Sequence, residues 1–180
     1  SSPTPGVGKS FVSSNLATVV AQSGQRVLLI DADMRKGYLH RVFGLQPQAG
    51  LSEVLTGRSK LRDAILPSGV AQLDIIGCGQ AAPNPSELLM HANFSRLLDE
   101  VGSLYDLVIV DTPPILAVTD AALVGRLAGT TLLVTRFGQS TLKAVENSRR
   151  RFAQNGITIK GAILNGVQRK ASMAIEDDGA

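Results

Sequence analysis

Five short runs rich in β-branched residues and leucine recur along the chain, and they constrain its fold more than any other feature: Arg26 to Ile30, Leu73 to Ile76, Asp106 to Val110, Thr130 to Thr135 and Ile157 to Leu164. Each is bounded by longer segments of helical character, so they read as buried parallel strands. Such alternation predicts a doubly wound, mostly parallel α/β sheet with right-handed crossovers. Val12, Leu16, Val19 and Val20 predict an apolar stripe on the first helix, while Gly37, Gly44, Pro47, Gly50, Gly57 and Pro67 break up the segment between the first two runs. Two helix starts are marked. Asn84-Pro85-Ser86-Glu87 offers an N-cap, a proline at the first helical position and an acid at the third; Ser140 precedes a helix over Thr141 to Gln154. With 180 residues, 44% of them hydrophobic, the chain suits one domain over residues 1–168, followed by a small, polar, poorly periodic tail over 169–180 that is expected to be mobile.

Composition excludes several classes of function. The longest apolar runs, Val27 to Ile30 and Leu107 to Val110, fall far short of the roughly 18–20 residues that span a bilayer. One cysteine, Cys78, cannot form an internal disulfide, which suits a reducing compartment. The formal charge is a mild +3, aromatics are 4%, and the only dense basic cluster, Arg149-Arg150-Arg151, falls in a helix, where a solvated face is the simplest reading and contact with a partner or an anionic surface the alternative. Stacking platforms for nucleic acid are lacking, and no nucleic-acid partner is expected.

Chemistry enters at the start of the chain. Ser1 to Ser10 ends in Gly-Lys-Ser directly before the first helix, so the N–H groups of Thr4, Pro5, Gly6, Val7, Gly8, Lys9, Ser10 and Phe11, proline excepted, and the helix N-terminus form a cradle for phosphates. Lys9 would reach the β and γ oxygens, and the Ser10 hydroxyl would ligate Mg²⁺. Pro3 stands where the strict pattern has a glycine, and a glycine turn capping a helix would look similar. A second segment separates the two readings. Val27 to Ile30 leads into Asp31-Ala32-Asp33, placing two carboxylates at spacing two beyond a strand's C-terminal end, where doubly wound sheets bind ligands. A third, Leu107 to Val110, ends in Asp111-Thr112-Pro113-Pro114, and Asp111 suits the orientation of a Mg²⁺ water. Asp31 is the candidate base toward an incoming hydroxyl or water, with Asp33 holding the metal beside it.

Together these three segments resemble the phosphate-binding and metal-binding motifs of the bacterial tyrosine kinases, the cytoplasmic domains of polysaccharide co-polymerases. The resemblance extends through Met34-Arg35-Lys36-Gly37-Tyr38, Gly50-Leu51-Ser52-Glu53-Val54-Leu55-Thr56-Gly57, Pro83-Asn84-Pro85-Ser86-Glu87-Leu88-Leu89 and Val134-Thr135-Arg136-Phe137-Gly138-Gln139-Ser140-Thr141. Partitioning and cell-division ATPases share the phosphate loop without these segments, and carry a signature lysine at the position occupied here by Thr4. The resemblance implies a P-loop fold of the partitioning-ATPase-like branch, ATP and Mg²⁺ as cosubstrates, and autophosphorylation on tyrosine. It further implies ring-like homo-oligomers, the tyrosine-rich tails of sister subunits and a tyrosine phosphatase as partners, and control of exopolysaccharide or capsule assembly machinery at the cytoplasmic face of the bacterial inner membrane. Asp31 looks like the catalytic base in that setting, with Lys9, Ser10, Asp33 and Asp111 as nucleotide and metal residues. Asn165 resembles the superfamily's adenine contact, and a turn asparagine ahead of Gly166 is the alternative.

Three departures accompany the resemblance. The family's kinases end in clustered tyrosines, whereas this chain has only Tyr38 and Tyr105. The strand that normally feeds the phosphate loop is missing, which implies a longer natural chain. The family's membrane-spanning parts and oligomerising N-terminal helix are also absent. Two further readings therefore stand beside a kinase: a partitioning-type ATPase switch, and a non-catalytic nucleotide-binding regulator. Tyr38, five residues past Asp33, reads either as a phosphorylation site at the site's mouth or as a packing tyrosine; Tyr105, His40, His91 and Cys78 read as structural.

Overall fold

The computed structural model describes residues 1–46 and 49–167; Pro47 and the expected mobile tail at 169–180 lie outside them. At its centre runs β1 (Val27–Asp31), buried at all five positions. Parallel neighbours flank it: β3 (Leu73–Ile76) on one side and β4 (Leu107–Asp111) on the other. A short strand, β2 (Ile65–Pro67), lies antiparallel on the outer edge of β3. Sequence reading missed β2 because it is three residues long and ends in a proline, a residue tolerated only at a sheet edge.

Side chains alternate across β1, and each face has its own cover. Leu28 and Ile30 pack with Leu89 of α5 (Pro85–Met90) and with Phe94, Leu97 and Val101 of α6 (Ala92–Leu104). Val27 and Leu29 pack with Ala17 and Ala21 of α1 (Lys9–Gln22) and with Leu39, which opens α2 (Leu39–Val42). α3 (Leu51–Leu55) and α4 (Leu61–Ala64) belong to the first of these layers, adding Leu51, Leu55 and Ala64 to its core. This is the doubly wound arrangement, with a correction to α1. Its buried face is Ser10, Ser14, Ala17 and Ala21, while Leu16 and Val19 of the expected stripe are exposed. Small residues let the helix approach the sheet closely, and proximity rather than side-chain size selects the inner face.

A second correction concerns sheet continuity. β5 (Thr131–Arg136) and β6 (Ile159–Asn165) pair in parallel with each other and form a separate two-stranded sheet. Its core is built with α7 (Asp120–Leu127) and α8 (Leu142–Ala153), through Ala121, Ala122, Leu133, Phe152 and Ile157. β6 alternates half-buried and exposed residues and β4 is only half-buried before Asp111, so neither is the fully buried strand expected. Between β4 and β5 lies a gap of about 510 Å³ lined by Val108, Val110, Thr112, Leu132 and Val134, with Val12 and Leu16 of α1. The chain's first residues make backbone hydrogen bonds across it: the Ser1 nitrogen donates to the Leu132 carbonyl, Val134 N–H to the Ser1 carbonyl, and Ile115 N–H to the Ser2 carbonyl. Thr112 is buried there, its hydroxyl without a hydrogen-bond partner among the described residues.

Local capping also shifts one assignment. α8 is capped by Thr141, whose hydroxyl accepts the Ala144 N–H, whereas Ser140 Oγ accepts the Arg136 N–H at the end of β5. Arg149 and Arg150 both pair with Glu146 on the exposed face of α8, a solvated arrangement. Tyr105 donates its hydroxyl to Asp74 at 2.8 Å, and burial together with that carboxylate pushes its ionisation up. His91 Nδ1 accepts the Asn93 N–H at the start of α6. Tyr38 is exposed.

Candidate functional site

Parallel pairing puts Asp31 directly beside Asp111 at the C-terminal ends of β1 and β4. The two acids are 80 positions apart in the chain and side by side in the sheet. Both are almost completely buried, a costly placement for carboxylates unless donors reach them. For Asp111 the donors come from α1: Lys9 Nζ at 2.8 Å on Oδ1, Ser13 Oγ at 3.1 Å on the same oxygen, and Ser10 Oγ at 2.5 Å on Oδ2. Ser13 was not singled out from the sequence. It lies one helical turn beyond Lys9, whose carbonyl also accepts from its hydroxyl, so the 3.6-residue period was the available signal.

Asp31 is held by backbone alone. Its Oδ1 accepts the Asp33 N–H at 3.2 Å and its Oδ2 the Leu39 N–H at 3.0 Å. Burial pushes this carboxyl up to about 6, with the neighbouring Asp111 adding to the shift while the two N–H groups and Lys9 oppose it. Gly37 matters here as more than a helix breaker: a Cβ on it would come within 2.6 Å of Asp31 Oδ2 and of the Asp33 carbonyl. Asp33 sits half-buried at the mouth, its Oδ1 accepting the N–H groups of Arg35 and Lys36. Arg35 then reaches Asp120 at 3.4 Å and Ser86, and Ser86 Oγ donates to the other oxygen of Asp120 at 2.5 Å, which ties the Asp33 turn to α5 and α7. This three-residue tie was invisible in sequence, since its members are 34 to 85 positions apart.

The loop before α1 carries Gly6 and Gly8 at φ +79° and +87°. Positive φ at alternate residues turns successive N–H groups toward one concavity, the geometry of an anion nest. Val7 between them is buried, Thr4 is half-buried, Pro5 is exposed, and the Phe11 side chain points outward at 64% exposure. Asn165, at the end of β6, donates its side-chain N–H to the Val7 carbonyl at 2.9 Å. Lys9, Ser10, Asp31, Asp33, Asp111 and Asn165 thus converge on one end of the fold. Cys78 lies nearby, its Sγ 3.6 Å from the Gly37 carbonyl, and burial with the surrounding acids pushes its thiol up to about 11, which suits an unreactive packing residue.

The donor set matches a magnesium polyphosphate. Hard oxygens (Ser10, Asp33, Asp111), one ammonium and a glycine nest are what such a group asks for. Among the described residues no three His, Cys, Asp or Glu side chains cluster closely enough to hold a metal by themselves, and Mg²⁺ typically takes one or two carboxylates and completes its shell with phosphates and water.

The chain is similar in sequence and in fold to known proteins. Residues 4–147 match the family model described as an AAA domain. The tyrosine-protein kinase wzc of Salmonella typhimurium is 54% identical over 169 residues, which make up 94% of this chain and 24% of that protein. The chain therefore spans about a quarter of the length of the curated relatives it matches. Its fold superimposes on the solved kinase domain of Escherichia coli tyrosine kinase ETK with a TM-score of 0.92 and 55% identity, over 97% of this chain and 68% of that one. The septum site-determining protein MinD of Pyrococcus horikoshii, solved in complex with Mg-ADP, matches with a TM-score of 0.75 at 25% identity, over 89% of this chain and 65% of that one.

Proposed function

The chain belongs to the AAA-domain family, in its bacterial tyrosine-kinase branch, and from that premise we propose that it binds Mg·ATP and transfers the γ-phosphoryl group to tyrosine hydroxyls. The observation that carries this reading is the side-by-side placement of Asp31 and Asp111, with Lys9 and Ser10 already hydrogen-bonded to the latter. Bound Mg·ATP would supply the transferable phosphoryl group and part of the charge that neutralises it. The chain's own residues do the rest. The N–H groups of Gly6, Gly8 and Lys9 would hold phosphate oxygens, and the Lys9 ammonium would exchange its contact with Asp111 for the β and γ oxygens. Ser10 and Asp111, with Asp33 at the mouth, would hold the metal. Asp31 would accept the tyrosine proton. A carboxyl lifted toward neutrality by burial is a stronger base than an ordinary one and is still ionised at pH 7.

Phosphoryl transfer asks for positioning and charge more than covalent help, and buried acids on a rigid sheet meet that demand. The gap between β4 and β5 has the place and lining for the strand expected to feed the loop. The relatives' names give tyrosine-protein kinases and nothing further; it is the resemblance in sequence that supports a role beside exopolysaccharide or capsule assembly, with sister subunits as substrates, ring-like oligomers, reversal by a phosphatase and a station at the cytoplasmic face of the inner membrane. No described helix is long and apolar enough to cross a membrane.

The likeness to MinD favours a second reading, a nucleotide-hydrolysing switch; Thr4 in place of that group's signature lysine weighs against it. Incubation of the chain with Mg·ATP and a tyrosine-rich peptide, followed by phosphotyrosine mass spectrometry, separates the two. Phosphopeptide formed by the wild type and lost in Lys9→Met supports the kinase. Free phosphate released without phosphotyrosine supports the switch.

A further inference from the structure

We infer that the side-chain amides of Asn165 and Gln139 are struts that set the direction of the phosphate loop's N–H groups, making Asn165 a positioning residue for the phosphate chain itself. The inference rests on the proposed nucleotide site and adds to it a device located in the other sheet. Asn165 closes β6 opposite Arg136 of β5, and its backbone carbonyl accepts the Phe137 N–H at 2.9 Å. Its Cα is therefore fixed by the strand pair. From that anchor Nδ2 donates to the Val7 carbonyl at 2.9 Å. Gln139, three residues beyond β5, donates from Nε2 to the Pro5 carbonyl at 3.4 Å.

Peptide geometry turns these contacts into an orienting device. In a planar trans peptide the carbonyl and the following N–H point in opposite directions, and none of the described peptide bonds is cis. Drawing the Val7 carbonyl toward β6 therefore turns the Gly8 N–H away from β6. Drawing the Pro5 carbonyl toward the β5 loop does the same for the Gly6 N–H. These two N–H groups belong to the residues at positive φ that shape the nest. The approach is closest at Gly8, where a Cβ would collide with Asn165 Nδ2, whereas one on Gly6 would make only an ordinary contact with Gln139 Nε2, at 3.5 Å. A free loop would have to order these peptides on binding, whereas a strutted loop holds them in place beforehand, and preorganisation appears directly as affinity.

A base contact and a strut make different predictions, and titration calorimetry with Mg·ATP, Mg·GTP and inorganic tripolyphosphate distinguishes them. Asn165→Ala is expected to weaken all three ligands by a similar factor of about five to ten, the value of one lost hydrogen bond. Asn165→Asp keeps the shape but loses the donor and faces the Val7 carbonyl with a charge; it is expected to weaken tripolyphosphate at least as much, and it carries the test if the alanine variant does not fold. Gln139→Ala should act in the same direction by about twofold, because its contact is long. In ligand-free protein, amide hydrogen exchange at Gly6 and Gly8 should quicken in Asn165→Ala. Loss confined to ATP, with tripolyphosphate binding intact, would overturn the strut and leave Asn165 a base contact. Wild-type protein that bound neither ATP nor tripolyphosphate would instead overturn the nucleotide reading and the strut with it.

Discussion

The two sheets of this molecule contribute to the same site in different ways. β1 is buried at every position, paired on both sides, and covered by helices on both faces. It and β4 present Asp31 and Asp111, the groups that would contact the metal and the moving proton. Among the described residues β5 and β6 have only each other as strand partners, and β6 is exposed at alternate positions. They present no acid to the site; from their ends come Asn165 and Gln139, which grip the loop's carbonyls. Buried charge needs a rigid, desolvated setting to be kept in register. Orienting a backbone loop needs only a fixed anchor within reach of a carboxamide. On the proposed reading, the sheet with the heavier core would carry the chemistry and the lighter one the grip.

The largest expected effect breaks the comparison on the chemical side. Asp31→Asn keeps the shape but removes the base and one of the two acceptors for the Asp33 and Leu39 N–H groups, and should lower phosphotyrosine formation by about 10²- to 10⁴-fold while Mg·ATP binding measured by calorimetry stays near wild type. Retention of the wild-type rate would remove Asp31 from the mechanism. Packing gives the next test. Ile30→Ala, in the fully covered strand, should cost about 2–5 kcal/mol in urea unfolding, whereas Leu132→Ala beside the gap should cost under about 1.5 kcal/mol because its surroundings are already incomplete. Equal costs would mean that the two sheets are equally well supported.

The smallest effect concerns pH. Burial pushes the Asp31 carboxyl up from the ordinary carboxylate range to about 6, so its proton stabilises the metal-free fold below about pH 4 and that contribution is lost as pH rises through about 6. In EDTA the stability of wild type should therefore fall over that window, by up to about 3 kcal/mol. Asp31→Asn should flatten the slope. A slope unchanged by the substitution would assign it to other groups.

Much of this was legible without coordinates because it is local. Gly-Lys-Ser before a helix, Asp-x-Asp after an apolar run and a second apolar run ending in Asp111 each announce themselves within ten residues, since strand burial and loop chemistry both act at that range. Errors arose where neighbours in space are distant in sequence. Leu16 and Val19 read as the inner stripe of α1, yet closeness to the sheet selected Ser10, Ser14, Ala17 and Ala21. Gly37 read as a breaker, and only the packed Asp31 carboxyl explains why no Cβ is tolerated there. β2 was hidden by its brevity and by Pro67.

By itself the sequence determined the set of groups: which strands end in acids, which loop can turn its N–H groups inward, and that one lysine and one hydroxyl open the first helix. Tertiary structure alone decided their mutual placement. The register that sets Asp31 beside Asp111, the Ser13 contact from α1, the Arg35–Asp120–Ser86 tie and the reach of Asn165 to Val7 across 158 residues depend on how strands pair and helices dock. The physical reason is range. Propensity and periodicity act over one or two turns of chain, whereas a carboxylate's ionisation and a loop's orientation answer to whatever the folded chain brings within about 4 Å.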